Sequence, residues 1–296
     1  MKGDLITIYT ADRTASASFA PDHGGIGFSL RLPVNGQTVE LLYCRKNFWQ
    51  RREDTGGLPF LFPVCGRHTL ADNRNSYTWE GVRREMPLHG FGMRKPWNIV
   101  SALNDKIVMQ LSDDEQTRAM YPFEFTVELE YTIAANQLTC RQRYTNKCDR
   151  PMPVCAGFHP YFQLPGQTEG VQIEGNIRQL GRYSADFTYV ESWQDSDAVS
   201  DPLVMAAMQY VAELDQPWFV CLKSKNEPYV VISSLNEPDS LSFNYMQFFR
   251  SGSDPFICME PWMGLPNALN EPQRVKLIPP GHTFTSGFAI STGPVN

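Results

Sequence analysis

The chain is predicted to be an all-β protein of large antiparallel sheets. Three observations point there. Strand-like runs of alternating hydrophobicity recur from end to end, turn residues punctuate them at short intervals, and a single segment has the pattern of a helix. No linker and no internal repeat interrupts the pattern, so residues 1–296 are expected to form one domain.

Leu5–Thr10, Ala15–Ala20 and Gly27–Leu32 are β-rich, and Asn35-Gly36 between Leu30-Arg31-Leu32 and 39–43 signals a hairpin, with Pro33 close enough to distort it. Residues 47–59 are polar and Gly-rich and read as a long loop delivering the chain to Phe60–Arg67. Ser76–Trp79 ends on a turn at Glu80-Gly81, and Trp97–Leu103 pairs with Lys106–Ser112 across Asn104-Asp105. Phe123–Ile133 alternates cleanly, with Phe125, Val127, Leu129 and Tyr131 on one face and Glu124, Glu128 and Glu130 on the other. Gln137–Tyr144 does the same, as half-solvated antiparallel strands do. Residues 165–212 look looser, and Asp201-Pro202 followed by Leu203, Val204, Ala206, Ala207 and Met208 gives the one expected helix. Strands resume at Trp218–Lys223, Tyr229–Ser234, Ser240–Tyr245, Phe256–Met259, Arg274–Leu277 and Thr283–Ser291.

Composition narrows the function. With 42% hydrophobic residues the chain can bury a substantial core. A net charge of −6 with no block of like charge argues against a nucleic-acid surface. No apolar run reaches the roughly 18 residues a membrane span needs, so no membrane partner is expected. The N-terminus lacks the apolar core and cleavage site of a signal peptide, and the seven scattered cysteines fit reduced thiols. Together they predict a cytoplasmic protein. Cys65-x-x-His68 is the one pair with metal-like spacing and has no second pair, so no metal or cofactor is expected.

Four stretches embed polar residues in rigid Gly/Pro/aromatic settings: 62–67 with Arg67, 87–97 with His89, 154–166 with His159, and 256–267 with Glu260 and Trp262. His159 follows an apolar lead-in, is held extended by Pro160 and stands beside Tyr161 and Phe162. That suits a general acid, and equally a buried histidine bonded to a backbone carbonyl. Glu260 ends a wholly apolar run, where desolvation raises carboxylate basicity; the plainer reading is a structural carboxylate paired with Arg67. Trp262 offers a flat face for a sugar ring, or ordinary core. His23 reads as a surface turn residue, His282 as another turn residue and His68 as a neighbour of Arg67 outside the site, and Pro160 argues against a Cys155–His159 nucleophilic pair.

Gly66-Arg67, His89-Gly90-Phe91-Gly92, Gly157-Phe158-His159-Pro160-Tyr161-Phe162 and Glu260-Pro261-Trp262, in that order, resemble the aldose 1-epimerase (galactose mutarotase) family, in particular its shorter members. The resemblance implies a galactose-mutarotase-like β-supersandwich with a sugar site on a concave surface. It implies Glu260 as general base, His159 as general acid, and Arg67, His89 and Asp215 as substrate-binding residues, the acid and base facing each other across a pyranose ring. No metal or redox cofactor enters that chemistry. The partner would be a monosaccharide, a hexose or a hexose phosphate. Arg51, Arg52, Arg94 and Lys95 could grip a phosphate or form a solvated rim, and the rim is preferred. Two other readings remain open: a non-catalytic carbohydrate-binding protein, and a glycoside hydrolase using Glu260 with Asp215. The sequence leaves the oligomeric state open.

Overall fold

The computed structural model describes residues 5–49, 56–70, 73–164, 171–195, 208–224, 227–235, 241–251, 254–271 and 274–293. The expected all-β architecture forms. Strands Ile6–Tyr9, Ser16–Ala20, Ile26–Val34 and Gln37–Glu40 make a four-stranded sheet in sequence order. Its last hairpin turns at Asn35 (φ 49°) and Gly36 (φ 78°), the left-handed pair a two-residue turn requires. Pro33 is harmless because it pairs with Thr38 one position beyond the turn-closing pair, where its nitrogen points away from the partner strand.

A first eight-stranded sheet runs, across its width, Asn98–Ala102, Lys106–Ser112, Phe125–Ala134, Gln137–Asn146, Thr283–Ser291, Glu227–Ser234, Phe219–Ser224 and Val171–Gly175. Its alternation is the one the sequence shows: Ile107, Met109, Leu129, Tyr131, Cys140 and Tyr144 turn inward. On the outer face Glu128 stands opposite Arg143 and Glu130 opposite Arg141, charge pairing that favours this register. The second sheet runs Val190–Asp195, Ile177–Tyr183, Met208–Leu214, Tyr245–Arg250, Phe256–Trp262, Gly157–Phe158 and Phe60–Leu61, with Tyr161–Gln163 also paired to Phe256–Trp262. Aromatic rings join the two layers, Phe158 to Phe288 at 4.7 Å and Phe62 to Phe125 at 5.0 Å between centroids. Each such ring, fully buried, contributes about 1.5–3 kcal/mol of burial energy. One apolar cluster extends from Ile8 in the N-terminal sheet to Ile290.

Three expectations are corrected. The loose region holds four strands, Val171–Gly175, Ile177–Tyr183, Val190–Asp195 and Met208–Leu214, whose alternation is obscured by Gly175, Gly181 and polar residues on both faces. The strand expected at 240–245 begins at Tyr245 and continues to Arg250. A short helix that the sequence reading missed, Glu115–Met120, opens on Asp114, whose side chain accepts from the Thr117 amide while the Thr117 hydroxyl accepts from the Asp114 amide. The helix expected at 201–208 lies outside the described residues apart from Met208, which opens a strand. Among the described residues no helix is long and apolar enough to cross a membrane.

Candidate active site

Strand Phe256–Trp262 is flanked by Tyr245–Arg250 on one side and by Gly157–Phe158 and Tyr161–Gln163 on the other, and all seven residues are buried. Strand periodicity sorts them. Ile257 and Met259 join the main core, while Phe256, Cys258, Glu260 and Trp262 face away from it. Glu260 and Trp262 thereby line a cavity of about 660 Å³, within the usual range for a small-molecule site. Opposite Glu260 in register stands Gln247, whose side-chain oxygen accepts from the Tyr183 hydroxyl at 2.7 Å.

His159 leaves its strand with its amide donating to the Pro59 carbonyl at 3.0 Å and its ring stacked on Tyr161 at 4.6 Å. Its Nε2 lies 3.3 Å from Glu260 Oε1. The expected acid and base are therefore in direct contact rather than separated by the width of a sugar ring. Burial pushes the Glu260 carboxyl well above the usual carboxylate range, opposed only by the nearby Trp262 indole N–H, which stands outside hydrogen-bond geometry. Burial also takes the His159 imidazole down to about 4. Both shifts favour a proton on Glu260 over one on His159. Three buried polar atoms around this pair, His159 Nδ1, Glu260 Oε2 and Trp262 Nε1, have no hydrogen-bond partner among the described residues.

His89 adopts a left-handed conformation (φ 62°) between Gly66 and Gly90. Its amide donates to the Gly66 carbonyl at 2.9 Å, and the Gly66 amide donates back to His89 Nδ1 at 3.0 Å. An accepting Nδ1 puts the proton on Nε2, so the ring offers a donor. Burial, followed by the charges of His159, Arg94 and Arg67, holds its pKa well below the ordinary value, so the donor is neutral. Its ring lies 5.4 Å from that of His159 and 5.7 Å from that of Trp262. Arg67 lines the same cavity, with Nη1 donating to Asn75 Oδ1 at 2.8 Å.

Five of the six expected residues thus converge: Glu260, His159, Arg67, His89 and Trp262. Asp215 does not. Its carboxylate is 52% exposed, accepts from Arg178 Nε at 2.8 Å, and stands outside the cavity. Of the four cations assigned to a rim, Arg94 lines the cavity, its Nη1 donating to the carbonyls of Leu88 and Gly90. Lys95 is turned to Asp114 and Gln116, and Arg51 and Arg52 lie outside the described residues. Gln247, Gln209, Tyr183, Asp186 and Phe249 also line the cavity and were missed. Gln247 was recoverable only from its register with Glu260. Asp186 accepts from the Ser184 and Thr188 hydroxyls, and this internal bonding leaves no sequence signature.

His68 is structural, its Nε2 accepting from the Leu269 amide. His282 is exposed, and His23, expected at the surface, is half-buried against Phe48 and Trp49.

The family model for aldose 1-epimerase matches residues 4–290. The chain belongs to the aldose 1-epimerase family. Among the relatives of this family member, protein LacX (chromosomal) of Lactococcus lactis subsp. lactis is 24% identical over 265 residues, 78% of this chain and 84% of that protein. Among solved structures, the Slr1438 protein of Synechocystis aligns with a TM-score of 0.83 at 21% identity, covering 99% of this chain and 98% of that one. The galactose mutarotase related enzyme of Lactobacillus acidophilus aligns at 0.77 and 21% identity, covering 98% of each. At such identities the likeness to solved aldose 1-epimerase-family structures shows the fold, the galactose-mutarotase-like supersandwich, and leaves the chemistry to the residues themselves.

Proposed function

We propose that the protein is a mutarotase that interconverts the α and β anomers of a hexose, with residues 1–296 acting as one domain. The observation that carries this reading is the Glu260–His159 contact, two buried groups 3.3 Å apart that can share one proton, on a cavity wall with unmet polar atoms. The anomeric hydroxyl and the ring oxygen sit on the same carbon, so an acid and a base that exchange protons with both must be neighbours. Sugar binding moves the resident proton from Glu260 to His159. The carboxylate then takes the proton of the anomeric hydroxyl while His159 Nε2 protonates the ring oxygen, and the bond from C1 to that oxygen breaks with its electrons staying on the oxygen. The aldehyde rotates about C1–C2, and the transfers run backward to close the ring. Each positioned proton transfer contributes on the order of 10²–10⁴ in rate. His89 Nε2–H and Arg67 hold hydroxyls, and Trp262 packs against the ring.

The glycoside hydrolase reading loses its second carboxylate, because Asp215 lies outside the cavity and Asp186 is engaged by Ser184 and Thr188. One observation favours a hexose 6-phosphate as substrate: Arg94 stands in the wall beside Arg67 instead of on a rim. Polarimetry or saturation-transfer NMR on free hexoses and their 6-phosphates tests both. Anomer exchange at the buffer rate for every sugar would leave a binding protein only. The cysteines Cys44, Cys65, Cys140, Cys148, Cys155, Cys221 and Cys258 are unpaired, which supports a cytoplasmic workplace.

Two outcomes test the division of labour. The pH profile of kcat/KM should be bell-shaped. It should fall on the acid side near pH 4, where His159 takes a second proton and the base is lost, and on the alkaline side only above the ordinary carboxylate range, where the shared proton leaves. A rate that halves near pH 6.5 would instead mark an ordinary imidazolium acid. Arg67→Ala should raise KM with little change in kcat, by roughly the 1.5–3 kcal/mol of a charged hydrogen bond.

A further inference from the structure

The alternation that brings Glu260 into the cavity wall brings Cys258 to the same face of the strand. Cys258 is fully buried, stands opposite Tyr161 in register, and has no part in the proton transfers above. Its Sγ, a ring nitrogen of His159 and a carboxylate oxygen of Glu260 lie within 4.8 Å of one another. Three different donor types meet here, two from strand Phe256–Trp262 and one from the junction between Gly157–Phe158 and Tyr161–Gln163, although about 100 positions of sequence separate His159 from the others.

Thiolate, imidazole and carboxylate form a donor set suited to zinc, and three protein ligands with one open position are the pattern of an accessible zinc site. One ligand pair has the required spacing. Two ligands at about 2.0–2.1 Å from a tetrahedral ion stand about 3.3 Å apart. His159 Nε2 and Glu260 Oε1 already have that separation. Charge fits too. A divalent cation with one thiolate, one carboxylate and a neutral imidazole sums to zero, so the complex leaves no net charge in a buried pocket. Two of the three ligands, His159 and Glu260, line the cavity.

We propose that Cys258, Glu260 and His159 form a binding site for a thiophilic divalent cation, Zn²⁺, which takes the place of the proton shared by Glu260 and His159 and reversibly blocks proton exchange with the sugar. On binding, the Cys258 thiol proton and the shared proton pass to solvent, and three dative bonds form to the ion. Ligating histidines usually donate their second ring nitrogen to a supporting group, and His159 Nδ1 has none among the described residues. The site therefore suits an ion that comes and goes. The binding rests on geometry alone, and only the block of turnover rests on the mutarotase reading.

Co²⁺ is the probe, added to the full chain after treatment with chelator. The expected result is one equivalent bound with a thiolate-to-cobalt charge-transfer band in the near ultraviolet and intense tetrahedral d–d bands, all displaced by Zn²⁺. Cys258→Ser should lose the charge-transfer band and bind Co²⁺ roughly 100-fold more weakly, since even supporting groups around a metal are worth 10–100-fold. Cys258→Ala, with its fold checked by circular dichroism, should behave alike. No charge-transfer band in the wild type, or a band that both variants retain, overturns the site. Zn²⁺ at saturating occupancy should stop anomer exchange in the wild type and chelator should restore it; undiminished exchange overturns the block. Failure of the mutarotase reading would show differently, as absent exchange in the ion-free wild type.

Discussion

Glu260→Gln is expected to reduce the rate of anomer exchange by about 10²–10⁴ while sugar affinity changes little. The amide keeps the shape of the side chain beneath Trp262 and opposite Gln247 but cannot give up or accept the proton. Stability should move the other way. A carboxyl whose folded pKa is raised contributes its full stability below the unfolded value of about 4.5 and loses it as pH rises towards the folded value. At pH 7.5 the wild type therefore carries a penalty that the glutamine variant lacks, and the variant should melt at higher temperature. At pH 4 the difference should vanish. Thermal melts at the two pH values, beside polarimetric rates, separate this outcome from simple damage to the fold. Near-normal exchange in the variant would remove Glu260 from the mechanism.

Gly90→Ala should cost far more stability than Gly36→Ala. Both glycines have similar positive φ, 71° and 78°, so each substitution incurs about 1 kcal/mol of backbone strain. A Cβ at Gly36 meets nothing within 4 Å. At Gly90 it would collide with the carbonyl of Phe62, an oxygen that already accepts from the amides of Phe91 and Gly92. Overpacking against backbone adds roughly 1–3 kcal/mol, and relieving it shifts His89 out of its bond with Gly66. Denaturant midpoints should show about 1 kcal/mol lost at Gly36 and about 2–4 at Gly90, with catalysis impaired only in the second. Equal losses would mean that the close approach is not what the glycine serves.

The legible parts of the fold were those where solvent contrast writes the pattern. Phe125–Ala134 and Gln137–Asn146 have one wet face and one dry face, so their alternation is visible in the sequence. Met208–Leu214 and Tyr245–Arg250 face the core on one side and the cavity on the other. A cavity face mixes Gln209, Gln247 and Phe249 in a way that resembles neither water nor core, and those strands were misplaced. The site followed the same logic. Arg67, His89, His159, Glu260 and Trp262 stand in Gly/Pro/aromatic contexts that constrain the backbone, and the family resemblance fell on those contexts. Asp215 had only its neighbours Gln216-Pro217 to recommend it, and Arg178 claims its carboxylate. The 3.3 Å meeting of His159 and Glu260 was unreadable because it depends on which strands become neighbours.

Strand Phe256–Trp262 writes the core on Ile257 and Met259 and the site on Cys258, Glu260 and Trp262. Substitutions respect that division, but changes in length do not. Removing or adding one residue between Phe256 and Glu260 would reverse the facing of everything on one side of the lesion, sending a carboxylate into the aromatic core and a methionine into the cleft. The fold should therefore tolerate replacement at the cleft positions of this stretch, whatever the cost to turnover, and no change of length at all, which makes it a fixed ruler for anyone reshaping the pocket: diversity belongs at alternate positions here, and insertions belong elsewhere.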